Sequence, residues 1–309
     1  MIVDALVIKI ASLFLMMFAG YIMVRCKVLQ PKDAKPISEI SLYLIFPCII
    51  IVSFQIEYTQ DIRDGLILAT IAAVIIHIIL LGVPWLFKNK LNLDAVEKVT
   101  VIYSNSGNLI IPLIAATLGP KYVIYTSAYT AVQTVLLWSH CRYVLMGGGK
   151  INILRILLNI NLLAVAVGGI LFFCGIKLWR PVYDAMASMG LMIGPACMLV
   201  TGMVIASMNL KKVIHYPRLP LIVALRLIIM PAIILPFLWI LDRIGNVPDS
   251  AAILLVPFLA TAAPSASSIT QMSLLYHNNT EYAGLLNMVS TILCIITYPA
   301  FVWFYELIF

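Results

Sequence analysis

The chain has 309 residues, of which 63% are hydrophobic and only 11% charged, with a mean hydropathy of +1.06. A soluble globular chain is about half apolar and about a quarter charged, so a soluble fold is excluded and a polytopic membrane protein expected. The net charge of +7 is read as a setter of membrane orientation that also meets anionic lipid headgroups, with no nucleic-acid partner.

A membrane-crossing helix needs about 20 mostly apolar residues. On that rule the chain holds ten spans: Ala5–Val24, Ile37–Gln55, Leu66–Phe87, Lys98–Leu118, Val123–Leu145, Leu154–Lys177, Val182–Met208, Leu219–Leu241, Ala251–Leu275 and Tyr282–Leu307. The first run lacks a basic leader with a cleavage site, so it is read as a span and not as a signal. Connections are short. The clearest loop signals are Gly147-Gly148-Gly149-Lys150 and Asn246-Val247-Pro248-Asp249. The first of these lies midway, dividing the chain into 1–149 and 150–309, five spans each.

Span two carries Pro47 and span seven Pro195; span four carries Pro112 and span nine Pro264. The two pairs have nearly the same offset along the chain. This suggests a 5+5 repeat, and an odd number of spans per repeat inverts the second copy. The ends of odd-numbered spans and the loops after them hold most of the Lys and Arg, including Arg25, Lys27, Lys88, Lys90, Arg142, Lys150, Lys211 and Lys212. Excess positive charge marks the cytoplasm, so both termini are expected to be extracytoplasmic.

Two spans break the apolar pattern. Between Thr100 and Gly119, span four collects Ser104, Asn105, Ser106, Gly107, Asn108 and Pro112. Span nine collects Thr261, Pro264, Ser265, Ser267, Ser268, Thr270 and Gln271. In lipid, unpaired backbone is tolerated only inside protein or beside a wet cavity. Both stretches are therefore read as helices broken at Pro112 and Pro264. The restarted half-helices would present bare N–H groups and positive dipole ends to an anion. The other reading, polar contacts between kinked helices, stays open at each residue.

These stretches resemble the auxin efflux carrier family. The run Asn105-Ser106-Gly107-Asn108 with Ile111-Pro112-Leu113 is similar to the family's N-x-G-x-x-x-x-P-L. The run Ala263-Pro264-Ser265-Ala266, with Ser290, Thr291 and Thr297-Tyr298-Pro299 later, is similar to its P-x-A and S-T…T-x-P elements. The resemblance implies ten spans in an inverted repeat, with spans four and nine crossing at the substrate. It also implies elevator-like movement of a transport domain against a scaffold, both interleaved across the two repeats. The family spans plant auxin exporters and bacterial carboxylate permeases. A short loop between spans five and six favours the bacterial branch.

The expected substrate site comprises Asn105, Ser106, Asn108, Pro112, Thr261, Pro264, Ser265, Ser267, Ser268, Gln271 and Asn287. Arg226 lies within span eight, either as a partner for a substrate carboxylate or reaching out to the headgroups. His77 and His140 are candidates for proton coupling, or packing residues. None of the thirteen Asp and Glu falls at a span centre, which argues against a carboxylate proton relay and a cationic substrate. Gln133, Asn159, Asn161 and Tyr276 are read as contacts between helices. None of the six cysteines forms a C-x-x-C pair, and neither metal nor cofactor is expected. No G-x-S-x-G, H-E-x-x-H or P-loop occurs, so no enzyme is expected and transport would be secondary.

The expectation is thus a secondary transporter of a small organic anion in a bacterial inner membrane. Malate-, malonate- or auxin-like acids are candidates. The alternatives are a sodium-coupled symporter similar to bile-acid transporters, and an anion channel or sensor. Partners are the anion and membrane lipids, with a homodimer left open.

Overall fold

A computed structural model describes residues 2–148, 153–207, 215–245 and 247–309. The loop residues Gly149, Lys150 and Asn246, and the basic residues Lys211 and Lys212, lie outside the described residues. Among the described residues the chain is all-helical, apart from one isolated antiparallel bridge between Ser104 and Ser265.

Among the described residues, five helices are long and apolar enough to cross a membrane: Pro31–Ser53, Gln60–Leu86, Arg180–Ser207, Leu219–Gly245 and Thr280–Ile308. The helix Gln60–Leu86 shows what surrounds them. Its face at Ala69, Ala72, Ala73, Ile76 and Leu80 is fully buried, while Ile67, Ile71, Val74 and Ile78 are exposed. A helix apolar on its outer face as well as its inner one belongs in lipid. The chain is a multi-pass membrane protein.

The chain divides into two compact units, each drawing on both halves of the sequence. Unit one is Met1–Arg63, Gly107–Ser127 and Leu157–Met208; unit two is Asp64–Ser106, Ala128–Ile156 and Asn209–Phe309.

Unit one is built on close backbone approach. The helix Ile2–Arg25 lies along Ile193–Ser207. A Cβ on Gly20 would strike the Leu199 backbone, and one on Gly202 would strike Met17 O and Tyr21 N. Small residues let helices meet where lipid offers no hydrophobic drive between them. Gly168 and Gly190 do the same against Phe54 and Ile49. Matching irregularities precede the two prolines noted in the sequence. Pro47 follows a wide turn at Ser41–Ile45, and Pro195 follows a turn at Met192. A proline lacks the N–H that would continue the ladder, which accounts for both.

Unit two holds the polar interior. Its helix Ala95–Ile102 is capped by a reciprocal pair: Asp94 Oδ1 accepts from Glu97 N–H (2.8 Å), and Glu97 Oε2 accepts from Asp94 N–H (3.1 Å). Glu97 is itself buried. Its Oε1 also accepts from the Tyr282 hydroxyl (3.1 Å) and pairs with Arg218 Nε at 3.1 Å. That knot joins the starts of three helices at one end of the unit.

Both broken stretches are broken. The first runs as a helix from Ala95 to Ile102, extends through Tyr103–Asn105, and resumes at Ser106. The second runs from Ser250 to Ala262, extends through 263–266, and resumes as Ser267–Leu275. One expectation needs correction. Pro112 is not at the first break: it lies in the helix Ile111–Thr117, after a wide turn at Ser106–Ile110. Pro264 does sit at the second break.

Candidate functional site

The two breaks are complementary. At each, the chain leaves the helix for a few extended residues, and its N–H and C=O groups must find partners elsewhere. Asn105 N–H donates to Pro264 O (2.8 Å), and Ala266 N–H donates to Tyr103 O (3.1 Å). These bonds flank Ser104 and Ser265, whose own main-chain groups point away from each other, as in any antiparallel pair of this register.

Side chains from the following segments take up those outward groups. Gln133 acts on Ser104: its Oε1 accepts from Ser104 N–H (3.2 Å) and Oγ (2.8 Å), and its Nε2 donates to Ser104 O and to Ser106 Oγ (both 2.8 Å). On the other stretch, Ser265 N–H donates to Ser290 Oγ (3.1 Å), and Asn287 Nδ2 donates to Ser265 O. Each broken stretch is thus pinned at its central serine by polar side chains of the helical segment that follows it. No partner in these bonds is a carboxylate.

Arg226 secures the other ends. It lies in a wide turn, Leu225–Ile229, and is 0% exposed, so it does not reach out to the surface. Nη1 donates to Val101 O (3.0 Å) and Ile102 O (3.4 Å), Nη2 to Thr261 O (2.6 Å) and Nε to Ala263 O (3.0 Å). Those carbonyls belong to the last residues of the half-helices Ala95–Ile102 and Ser250–Ala262 and to Ala263, which caps the second, where intrahelical donors run out.

The remaining expected residues distribute as follows. Ser106 and Thr261 are fully buried, and Thr261 Oγ1 donates to Pro257 O (2.8 Å). Asn105, Ser267, Ser268 and Asn287 are half-buried. Ser265 is 1% exposed, yet among the described residues its Oγ has no hydrogen-bond partner. The side chains of Asn108, Pro112 and Gln271 lie outside the described residues. His77 is buried, with Nδ1 donating to Ala73 O (2.7 Å) and its ring 4.8 Å from that of Tyr129. His140 Nδ1 hydrogen-bonds the Tyr103 hydroxyl (2.9 Å), at the edge of the first break. Within unit two, the structure brings Asn105, Ser106, Thr261, Pro264, Ser265, Asn287 and Arg226 together around the paired breaks. Among the described residues, no group of three or more His, Cys, Asp or Glu could hold a metal.

Gln133 makes the contact between helical segments that the sequence suggests, whereas Ser290, marked in the sequence only through the family resemblance, was missed as a partner of the second break. The signal for both was a polar side chain in a span adjoining a broken one. An apolar groove of about 510 Å³, lined by Ile228, Ala232, Trp239, Phe301 and Phe304 among others, includes none of these residues.

These observations define a helical, multi-pass membrane protein with two mutually paired helix breaks in its interior. Residues 5–155 match the membrane transport protein family, that of the auxin efflux carriers. The first break and Gln133 fall within the match; Arg226 and the second break lie beyond it. The family is one of transporters. Among curated proteins, nothing matches the chain.

Proposed function

We propose that the chain is a secondary carrier of a small organic anion, a carboxylate such as malate or malonate or an auxin-like acid. The anion binds beside the paired breaks. The observation that carries this reading is the Ser265 hydroxyl, buried and without a partner among the described residues, at the break that opens the half-helix Ser267–Leu275. The first N–H groups of such a half-helix have no intrahelical acceptors, and the dipole there is positive. A carboxylate meeting those N–H groups, the Ser265 hydroxyl and the half-buried Asn105 needs no cation of its own.

The reading places ten spans in a 5+5 inverted repeat, 1–149 and 150–309, with spans four and nine crossing at the breaks. The shared relation of each central serine to the segment that follows supports it. Transport proceeds by elevator-type alternating access across a bacterial inner membrane, with both termini extracytoplasmic. Counterflow in proteoliposomes with mono- and dicarboxylates tests the proposal. Wild type shows trans-stimulation, which a simple pore does not. Ser265→Ala and Asn105→Ala each reduce uptake by about tenfold, the effect of losing one hydrogen bond to a charged group. Undiminished carboxylate uptake in both variants overturns the site.

A further inference from the structure

Arg226 is a buried cation whose bonded partners, among the described residues, are all main-chain carbonyls. A full positive charge inside a membrane protein is costly unless matched. Here the match is made of carbonyl oxygens at the C-terminal ends of two half-helices, Val101 and Ile102 from one, Thr261 and Ala263 from the other. Each such end carries about half a negative elementary charge. Two ends together balance one guanidinium.

Carbonyls released by helix breaks, with half-helix C-terminal ends, are also the ligands by which carriers of this general build hold a dissociable coupling cation. In this chain the same kind of oxygens already have a cation, delivered by a side chain of span eight. We propose that Arg226 is a tethered counter-ion that occupies the position of a coupling cation, so that transport does not draw on a sodium gradient. The planar fork suits the task, because it reaches carbonyls on both half-helices at once, which an ammonium on a flexible stem does less well. Arg226 thereby holds the two C-terminal ends together while the anion is met at the N-terminal ends of the half-helices that resume after the breaks. The inference deepens the carrier reading and rests on it for the word coupling. The cation assignment itself rests only on the carbonyl geometry.

The test is the melting temperature of the purified, substrate-free protein in sodium chloride, choline chloride of equal ionic strength, and millimolar guanidinium chloride. Wild type melts alike in sodium and choline. Arg226→Ala melts about 10 °C lower, as the loss of several charge-assisted bonds predicts. It is restored in part by guanidinium and, more weakly, by sodium over choline. A saturable sodium stabilisation of wild type overturns the proposal. So does an alanine variant that neither guanidinium nor sodium raises. If that variant yields no folded protein, Arg226→Lys and Arg226→Gln decide. The lysine variant should melt between wild type and the glutamine variant, and equal melting of the two overturns the role of the charge. No substrate enters these measurements, so failure of the anion site in the flux assay leaves their outcome unaffected.

Discussion

Unit one and unit two solve the same problem with opposite materials. Neither can rely on water leaving apolar surface to bring helices together, because lipid is as apolar as leucine. Unit one uses absence: Gly20 and Gly202 remove side chains, so that helix backbones touch. Unit two uses presence: Gln133, Arg226, Ser290 and Asn287 supply donors and acceptors to backbone that two broken helices have released. Added volume should therefore damage unit one most, and a lost polar group should damage unit two most.

The sharpest break of that contrast is at Gly202. A side chain there meets Met17 O and Tyr21 N, which are backbone and cannot swing aside. Gly202→Leu should cost more than about 3 kcal/mol and abolish monodisperse expression. Gly82→Ala, with nothing near its added Cβ, should stabilise by about 0.5 kcal/mol or leave melting unchanged. Equal behaviour of the two variants would remove the backbone-contact account of unit one.

Next in size is Gln133→Leu. The volume is nearly kept, but Ser104 N–H and C=O and two hydroxyls lose their partner in a buried place. The expected loss is about 3 kcal/mol, read as a lower melting temperature, and hydrogen exchange at Ser104 should quicken. A leucine variant as stable as wild type would show that the first break does not depend on its side-chain clamp.

The smallest effect is expected outside both interiors. Arg180 and Asp184 form an exposed ion pair one helical turn apart, Nε to Oδ2 3.0 Å. Arg180→Ala should change melting by less than about 0.5 kcal/mol, since solvent screens the pair and two long side chains are freed. This sets the scale against which the two interior substitutions are judged.

The broken stretches were legible because they violate their surroundings. Asn105 and Ser106, or Ser265, Ser267 and Ser268, have no place in an unbroken lipid-facing helix. Gln133 was visible as a polar residue, but its four bonds to Ser104 and Ser106 were not, because they depend on which segments meet in space. The break in span four was expected at Pro112 and lies at Tyr103–Asn105. Proline is a local signal, and a helix tolerates it where a wide turn absorbs the missing N–H. The actual break falls where Pro264 O and Ala266 N–H offer partners. Arg226 was seen as charged and within a span. That its charge is spent on four carbonyls from two other segments depends on their convergence.

Composition and the run lengths of apolar residues alone determined the solvent of this protein and the segments that resist being continuous helices. Those are properties of a residue and its near neighbours, set by transfer free energies and backbone sterics. Only the tertiary structure decided where each helix stops and what Arg226 serves. A released carbonyl or N–H is stable in lipid only when a partner reaches it, and here the partners come from elsewhere in the chain.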